Sequence, residues 1–175
     1  MKASRTIFFS FILFLSSFQN NINAEEKIFF VDLSFLVTNS MAGKTIFNQL
    51  DTLNNKYIAE FTKIENDINL RKDKAVKQKN IISEEEYKKI IEKIKNEIND
   101  YKKLRNDTNI KISNKNKKAN LKLIDEINKI LIIYSNEKKI SMIVNKKYII
   151  IGKSELDITP EILIILDKKI KEIKL

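Results

Sequence analysis

Cysteine, histidine and tryptophan are missing from the 175 residues, proline occurs once and glycine only twice. Without a thiol or an imidazole there is no serine- or cysteine-type catalytic triad, no thiolate or imidazole zinc site and no disulfide. Gly43 and Gly152 are the only glycines, so neither a phosphate-cradling loop nor a dinucleotide fingerprint can be written. An all-carboxylate metal site or an acidic acid-base pair stays open, but catalysis needs perturbed groups converging in a pocket. The chain therefore reads as a non-enzyme without a cofactor. A 43% hydrophobic and 32% charged composition is too apolar for a disordered chain. With so few turn formers it calls for long regular elements held by packing alone.

Residues 1–24 have the pattern of a secretory signal. Lys2 and Arg5 supply the positive start, Ile7 to Leu15 form a short apolar core broken by Ser10, and Gln19-Asn20-Asn21 leads to Ile22-Asn23-Ala24. Cleavage is expected after Ala24. A membrane anchor is the competing reading, but the apolar run stops near Phe18, short of the ~20 residues a spanning helix needs. Removing the signal lowers the net charge from +10 to +8 and predicts a soluble protein of an exported compartment.

Lys27 to Asp32 is a dense apolar run rich in β-branched and aromatic residues, which reads as a buried strand. Ile140 to Val144 and Tyr148 to Ile151 form two more such runs. Asn145-Lys146-Lys147 joins them, so a β-hairpin is expected there. Between these ends the period becomes helical: Ile46, Leu50, Leu53, Tyr57, Phe61, Ile64, Ile68 and Ala75 define one stripe. Ser83 to Glu86 is a capping box that starts a second helix. Its stripe runs Tyr87, Ile91, Ile94, Ile98 and Tyr101, in heptad steps. The stripe thins from Arg105 to Asn120 and resumes at Leu123, Ile127, Ile130 and Tyr134. Thr159-Pro160-Glu161 provides an N-cap and a first-turn proline for a last helix over Ile162 to Ile173.

Folding the two long helices back at Asn80 to Ile82 brings Val76 near Tyr87, Ile68 near Ile94 and Ile64 near Ile98. The resulting arm is on the order of 60 Å long, from roughly forty residues out and forty back at 1.5 Å each. One strand, one hairpin and one helix bury too little at its base. Self-association through the head with closed cyclic symmetry solves this economically.

On these residues the chain resembles the Skp/OmpH family of periplasmic chaperones. At the N-terminal end the resemblance rests on Lys27 to Asp32, Ala42-Gly43-Lys44 and Leu50. At the other end it rests on Met142-Ile143-Val144, Tyr148 and the run Leu156 to Leu163. It implies an α+β fold: a small β-barrel head built by a homotrimer, with long antiparallel helical hairpins, coiled-coil arms, projecting around a cavity. The expected organisation is a head of residues 25–43 and 122–175 with an arm of residues 44–121. Ile28, Phe30, Ile143, Ile149 and Ile151 are its expected oligomer core. It also implies an ATP-independent holdase for unfolded outer-membrane β-barrel proteins.

Within 56–118 there are 18 basic and 11 acidic residues, so the arm carries nearly all the positive charge. Such a field keeps arms apart and attracts an acidic unfolded chain over a Debye length of ~8 Å. A lysine-rich face is also simply well solvated, with pairs such as Lys88/Glu92 and Lys93/Glu97 adding roughly 0.2–0.5 kcal/mol each. Ile91, Ile94 and Ile98 are expected to pack helix on helix. Diffuse client contact is then expected on the flanks, at Val76, Ile90, Tyr101, Leu104 and Ile110, with Lys72, Lys95, Lys102 and Arg105 beside them. An exported coiled-coil adaptor is one alternative. A binder of polyanions such as lipopolysaccharide, or of the membrane surface, is another; the export signal argues against nucleic acid.

Overall fold

The computed structural model describes residues 27–175. The expected signal segment and its cleavage point lie outside the described residues. Strand β1 (Ile28–Val31) leads into a short helix α1 (Leu33–Asn39) and then into α2 (Met41–Gln78). A tight reversal precedes α3 (Glu84–Lys138), which is followed by β2 (Met142–Asn145), two short 3-10 turns and helix α4 (Thr159–Lys169). No helix among the described residues is long and apolar enough to cross a membrane.

Short polar side chains set the helix starts. Asp32 begins α1 by accepting from the Phe35 amide at 2.8 Å, and Ser40 begins α2 by accepting from the Gly43 amide at 3.1 Å. The sequence pattern does not single out α1. At the arm tip the expected capping box forms: Ser83 accepts from the Glu86 amide while the Glu86 carboxylate accepts from Ser83. Helix α3 ends at Lys139, which adopts the left-handed conformation with φ 55°.

At about 1.5 Å per residue, the 38 residues of α2 and the 55 of α3 make an antiparallel pair in which α3 outruns its partner and enters the head. Two separate apolar clusters result. The outer one buries Ile68, Ala75 and Ile94, with Ile64, Ile90, Ile98 and Tyr101 packed against it. The inner one joins Leu36, Ile46, Leu123, Ile127, Ile162 and Leu166 from all four helices. The expected pairings of Ile68 with Ile94 and of Ile64 with Ile98 are met within the outer cluster. Ile90 and Ile91 exchange roles, since Ile90 packs on the seam and Ile91 is exposed. Val76 likewise points off the seam, leaving Ala75 as the buried neighbour. Lys88 pairs with Glu84 rather than Glu92, the orientation with glutamate first that the helix dipole favours.

The expected β-hairpin does not form. Strand β2 pairs in parallel with β1, from Ile28 opposite Met142 to Val31 opposite Asn145. The helical arm is the long crossover that a parallel pair requires. Asn145 to Lys147 becomes the start of a 3-10 turn, capped by the Asn145 side chain. Tyr148 to Ile151 then has no strand beside it within the chain. On the other edge of β1, Phe30 bridges to Asp157 and accepts a hydrogen bond from the Ile158 amide at 3.0 Å.

Thr159 does not act as an N-cap. Its hydroxyl accepts from the Asp32 amide at 2.8 Å and donates to Asp157, tying β1 to the start of α4. Helix α4 stops at Lys169, short of the expected Ile173. The following residues run as a strap across the arm base, where Ile173 is buried.

Gly43 is where α1 and α2 meet. A Cβ there would lie 1.8 Å from the Val37 carbonyl oxygen. Alanine is better than glycine in a helix by about 1 kcal/mol, so a Gly43→Ala variant reads the clash against that gain. We expect a net loss of about 2 kcal/mol in urea unfolding; a more stable variant would show that the corner opens freely.

Between Ile46 and Ile68 on α2, and between Ile94 and Ala119 on α3, no apolar side chain is fully buried. Thr108 is buried there instead, and Leu53, Tyr57, Phe61 and Ile112 are half-buried. Backbone amides of 106–118 should therefore exchange with deuterium faster than those of Ile90 to Ile98. Equal protection would mean that the two clusters act as one.

Candidate functional site

A hairpin of two helices covers one stripe of each and leaves two broad faces and two backs in solvent. Of the nine expected client-contact residues, Val76, Leu104 and Ile110 are exposed, as are Lys72, Lys95, Lys102 and Arg105. Ile90 and Tyr101 belong to the helix-helix seam. The nine do not converge. Val76, Lys72, Lys95, Lys102 and Arg105 share one broad face, Leu104 lies on the other, and Ile110 is on the back of α3.

Two exposed apolar residues that the stripe analysis passed over, Phe47 and Ile58, join Val76 and matter more. Phe47 and Ile58 on α2 are 69% and 61% exposed, Val76 is 66% exposed, and Ile91 on α3 is exposed beside them. Phe47, Ile58 and Val76 are separated by 11 and 18 residues, close to whole numbers of turns at 3.6 residues each. They therefore form a straight line, about 90° around α2 from the seam. That spacing is the signal in the sequence that would have found them. At its base the line opens into a groove of about 420 Å³ between Val37, Phe47, Leu50, Asn116 and Asn120.

The opposite face is closed in two places. At the base, the Gln49 side-chain amide donates to the Ile173 carbonyl at 2.9 Å and accepts from the Leu175 amide at 3.2 Å, imitating a backbone pairing. Lys115 donates to the Leu175 carbonyl at 3.4 Å. Farther out, Arg71 pairs with Asp67 on its own helix and with Glu97 across the hairpin, the latter at 2.7 Å. A second crossing, on the broad face of Val76 and Lys72, joins Glu65 to Tyr101 and Arg105. The Arg105 guanidinium lies 5.9 Å from the Phe61 ring and 5.8 Å from the Tyr101 ring. Burial first, and then the bond to Glu65, pushes the Tyr101 hydroxyl above its ordinary pKa.

In the head, Phe30 is buried and Ile143 and Ile149 are half-buried. Ile28 is exposed, Ile150 and Ile151 are 98% and 92% exposed, and Tyr148 is bare beside them. These residues and the outer edge of β2 are apolar or unpaired surface of the head that the described residues leave uncovered.

The protein is a slender two-helix arm on a small head, with apolar side chains in solvent at both places. The chain belongs to the OmpH-like outer membrane protein family, whose model matches residues 27–166. Its fold is also that of a candidate outer membrane chaperone (OmpH-like) from Caulobacter crescentus CB15. The two share 17% identity at a TM-score of 0.82, over 87% of this chain and 90% of that one. Among curated proteins none matches the chain.

The loop that displays Ile150 and Ile151 is held at its ends by an ion pair, Lys146 to Asp157 at 2.6 Å. Burial pushes the Asp157 carboxyl up, but hydrogen bonds from Lys146 and Thr159 outweigh it and hold the pKa below the usual carboxylate value. The same bond raises the Lys146 ammonium. Asp157 therefore adds stability that is complete above the unfolded carboxylate pKa of about 3.9 and is lost as pH falls through its lower folded value. Lys146 adds stability that is complete below about pH 10 and fades as pH rises through its raised value. An Asp157→Asn variant should unfold at lower urea than the parent at pH 7, and the gap should close as pH falls below the usual carboxylate range. A gap that stays constant with pH would assign the loss to packing.

Proposed function

We propose that the mature protein is an ATP-independent holdase of the periplasm that keeps unfolded outer-membrane β-barrel proteins from aggregating. In this reading a head formed by residues 25–43 and 122–175 assembles as a homotrimer. Three arms of residues 44–121 then stand around a cavity. The observation that carries it is the bare margin of Tyr148, Ile150 and Ile151 beside an unpaired strand edge, at the foot of a hairpin with no third layer. Copies that pair through this margin bury it, extend the two-stranded sheet towards a shared barrel, and fix the arms side by side. Ile28 and Ile151 then join Phe30, Ile143 and Ile149 in the oligomer core.

The arms meet the needs of a holdase by being weakly adhesive along their length. Scattered apolar side chains and lysine stems each offer a small gain while the ammonium heads stay wet. Many such contacts retain a chain without imposing one conformation. Release needs no nucleotide, because a ligand of the unfolded state loses it to a more stable folded one. A second reading has its own support: Lys111, Lys115 and Lys118 surround Ile110 in one shallow groove, a surface suited to a polyanion such as lipopolysaccharide.

Light scattering on the mature protein should give the mass of three chains. Adding a urea-unfolded outer-membrane barrel protein should give one client per trimer and a clear solution after dilution. A monomer at micromolar concentration would overturn the shared head. Aggregation that proceeds unchanged would overturn the holdase.

A further inference from the structure

The two broad faces of the arm are unlike, and only one is built to adhere. We infer that the face carrying Phe47, Ile58, Val76 and Ile91 holds the unfolded client, while the opposite face is a structural back. This rests on the holdase reading and goes on to say which surface does the holding.

At 100° per residue the seam residues of α2 cluster in one direction, and Phe47, Ile58 and Val76 lie to the same side of it. In an antiparallel pair the same rotational side of both helices faces the same way. That side of α3 carries Ile91, Lys95 and Lys102. The shared grooves agree: Phe47 and Asn48 line one with Asn116 and Asn120, and Asn69 and Lys72 line another with Ile98 and Lys102. Along this line lie Asn54, Thr62 and Asn69, polar but uncharged, and Glu65, whose carboxylate is engaged by Tyr101 and Arg105.

The opposite face is already in use. The strap covers its base through Gln49 and Lys115, and the Asp67–Arg71–Glu97 crossing occupies its middle. A client lying there would have to displace the strap, whereas on the other face the crossing of Glu65 to Tyr101 and Arg105 leaves Phe47, Ile58, Val76 and Ile91 bare.

The spacing also decides the occupant. A second arm packing as a helix would need an apolar residue at every third or fourth position. The exposed line offers one only every 11 and 18 residues, at Phe47, Ile58 and Val76. That is too sparse for a helical seam but suits an extended chain, whose apolar residues fall irregularly and dock one at a time. From Phe47 to Val76 the line is about 44 Å long, matching an extended segment of about 13 residues at 3.3 Å each. Lys72, Lys95 and Lys102 form no ion pair among the described residues, so they are free to meet acidic side chains of that segment.

The test places a photoreactive phenylalanine analogue at Ile58, Val76 or Ile91, and in parallel at Lys63 or Lys74 on the back, in the full mature protein. The probe is a urea-unfolded outer-membrane β-barrel protein diluted into each variant. Client adducts should form at the first three positions in clear excess over the last two. An Ile58→Gln, Val76→Gln double variant with unchanged helicity should bind the client about tenfold more weakly, whereas Lys63→Gln with Lys74→Gln should not. Equal or greater labelling from the back overturns the assignment while leaving the holdase intact. Arm-to-arm adducts at 58 and 76 that persist with client present would make this face a contact between copies, and also overturn it. A parent protein that holds no client at all removes both readings together.

Discussion

Two helices lying side by side can shield only one stripe each, and most properties of this molecule descend from that limit. In the outer half of the arm the fully buried side chains are Ile68, Ala75 and Ile94. Ala75 is small enough to let the backbones approach, so the seam is close but thin. It is supplemented by interactions that need no third layer: Arg71 reaching to Glu97, and the Glu65, Tyr101 and Arg105 group around Phe61. Exposed pairs of this kind are individually worth little, but they cross the hairpin and so fix its register. Everything off the seam remains in water, and the arm is a surface before it is anything else. For a carrier of unfolded chains that is useful, provided the apolar exposure stays dispersed. Phe47, Ile58 and Val76 are far enough apart to avoid one large sticky patch.

The head meets the same shortage of material differently. Its two strands are separated in sequence by the whole arm, which makes them parallel and leaves β2 with a free outer edge. Thr159 shows how much is asked of single residues there, because one hydroxyl links β1, the loop before α4 and the helix itself. The ion pair of Lys146 with Asp157 then holds out a loop whose isoleucines find no partner in their own chain.

The sequence made the arm legible because helix packing and helix starts are local. Steps of three and four residues, and the reciprocal bonds of Ser83 and Glu86, need no knowledge of distant chain. The choice between Ile90 and Ile91 was harder. Heptad counting from Tyr87 picks Ile91, but on a straight helix the residue four before Ile94 lies about 40° from it and the residue three before about 60° on the other side. The deciding neighbours are on α2, beyond the reach of local counting. The failed hairpin has a similar cause. Two apolar runs joined by a short polar link do specify strands, but which strand pairs with which depends on where β1 arrives after the arm has turned back. Among the site residues, lysines could be named from composition, whereas the adhesive line needed the seam to be located first, since it is defined by its angle from the seam.

Between its two clusters the arm is joined mainly by polar means. Helix α2 contributes no fully buried apolar residue from Phe47 to Asp67, and α3 contributes none from Lys95 to Lys118. Closure at the base instead uses the Gln49 amide, which gives one hydrogen bond to the strap and takes another. Net contributions of about 1 kcal/mol per hydrogen bond are smaller than the ~1.5–3 kcal/mol of a buried aliphatic side chain. The base is thus the weakest stretch of an otherwise well-clasped lever. A load on the arm outside this stretch is therefore expected to bend it there first, with the outer cluster and the head left intact.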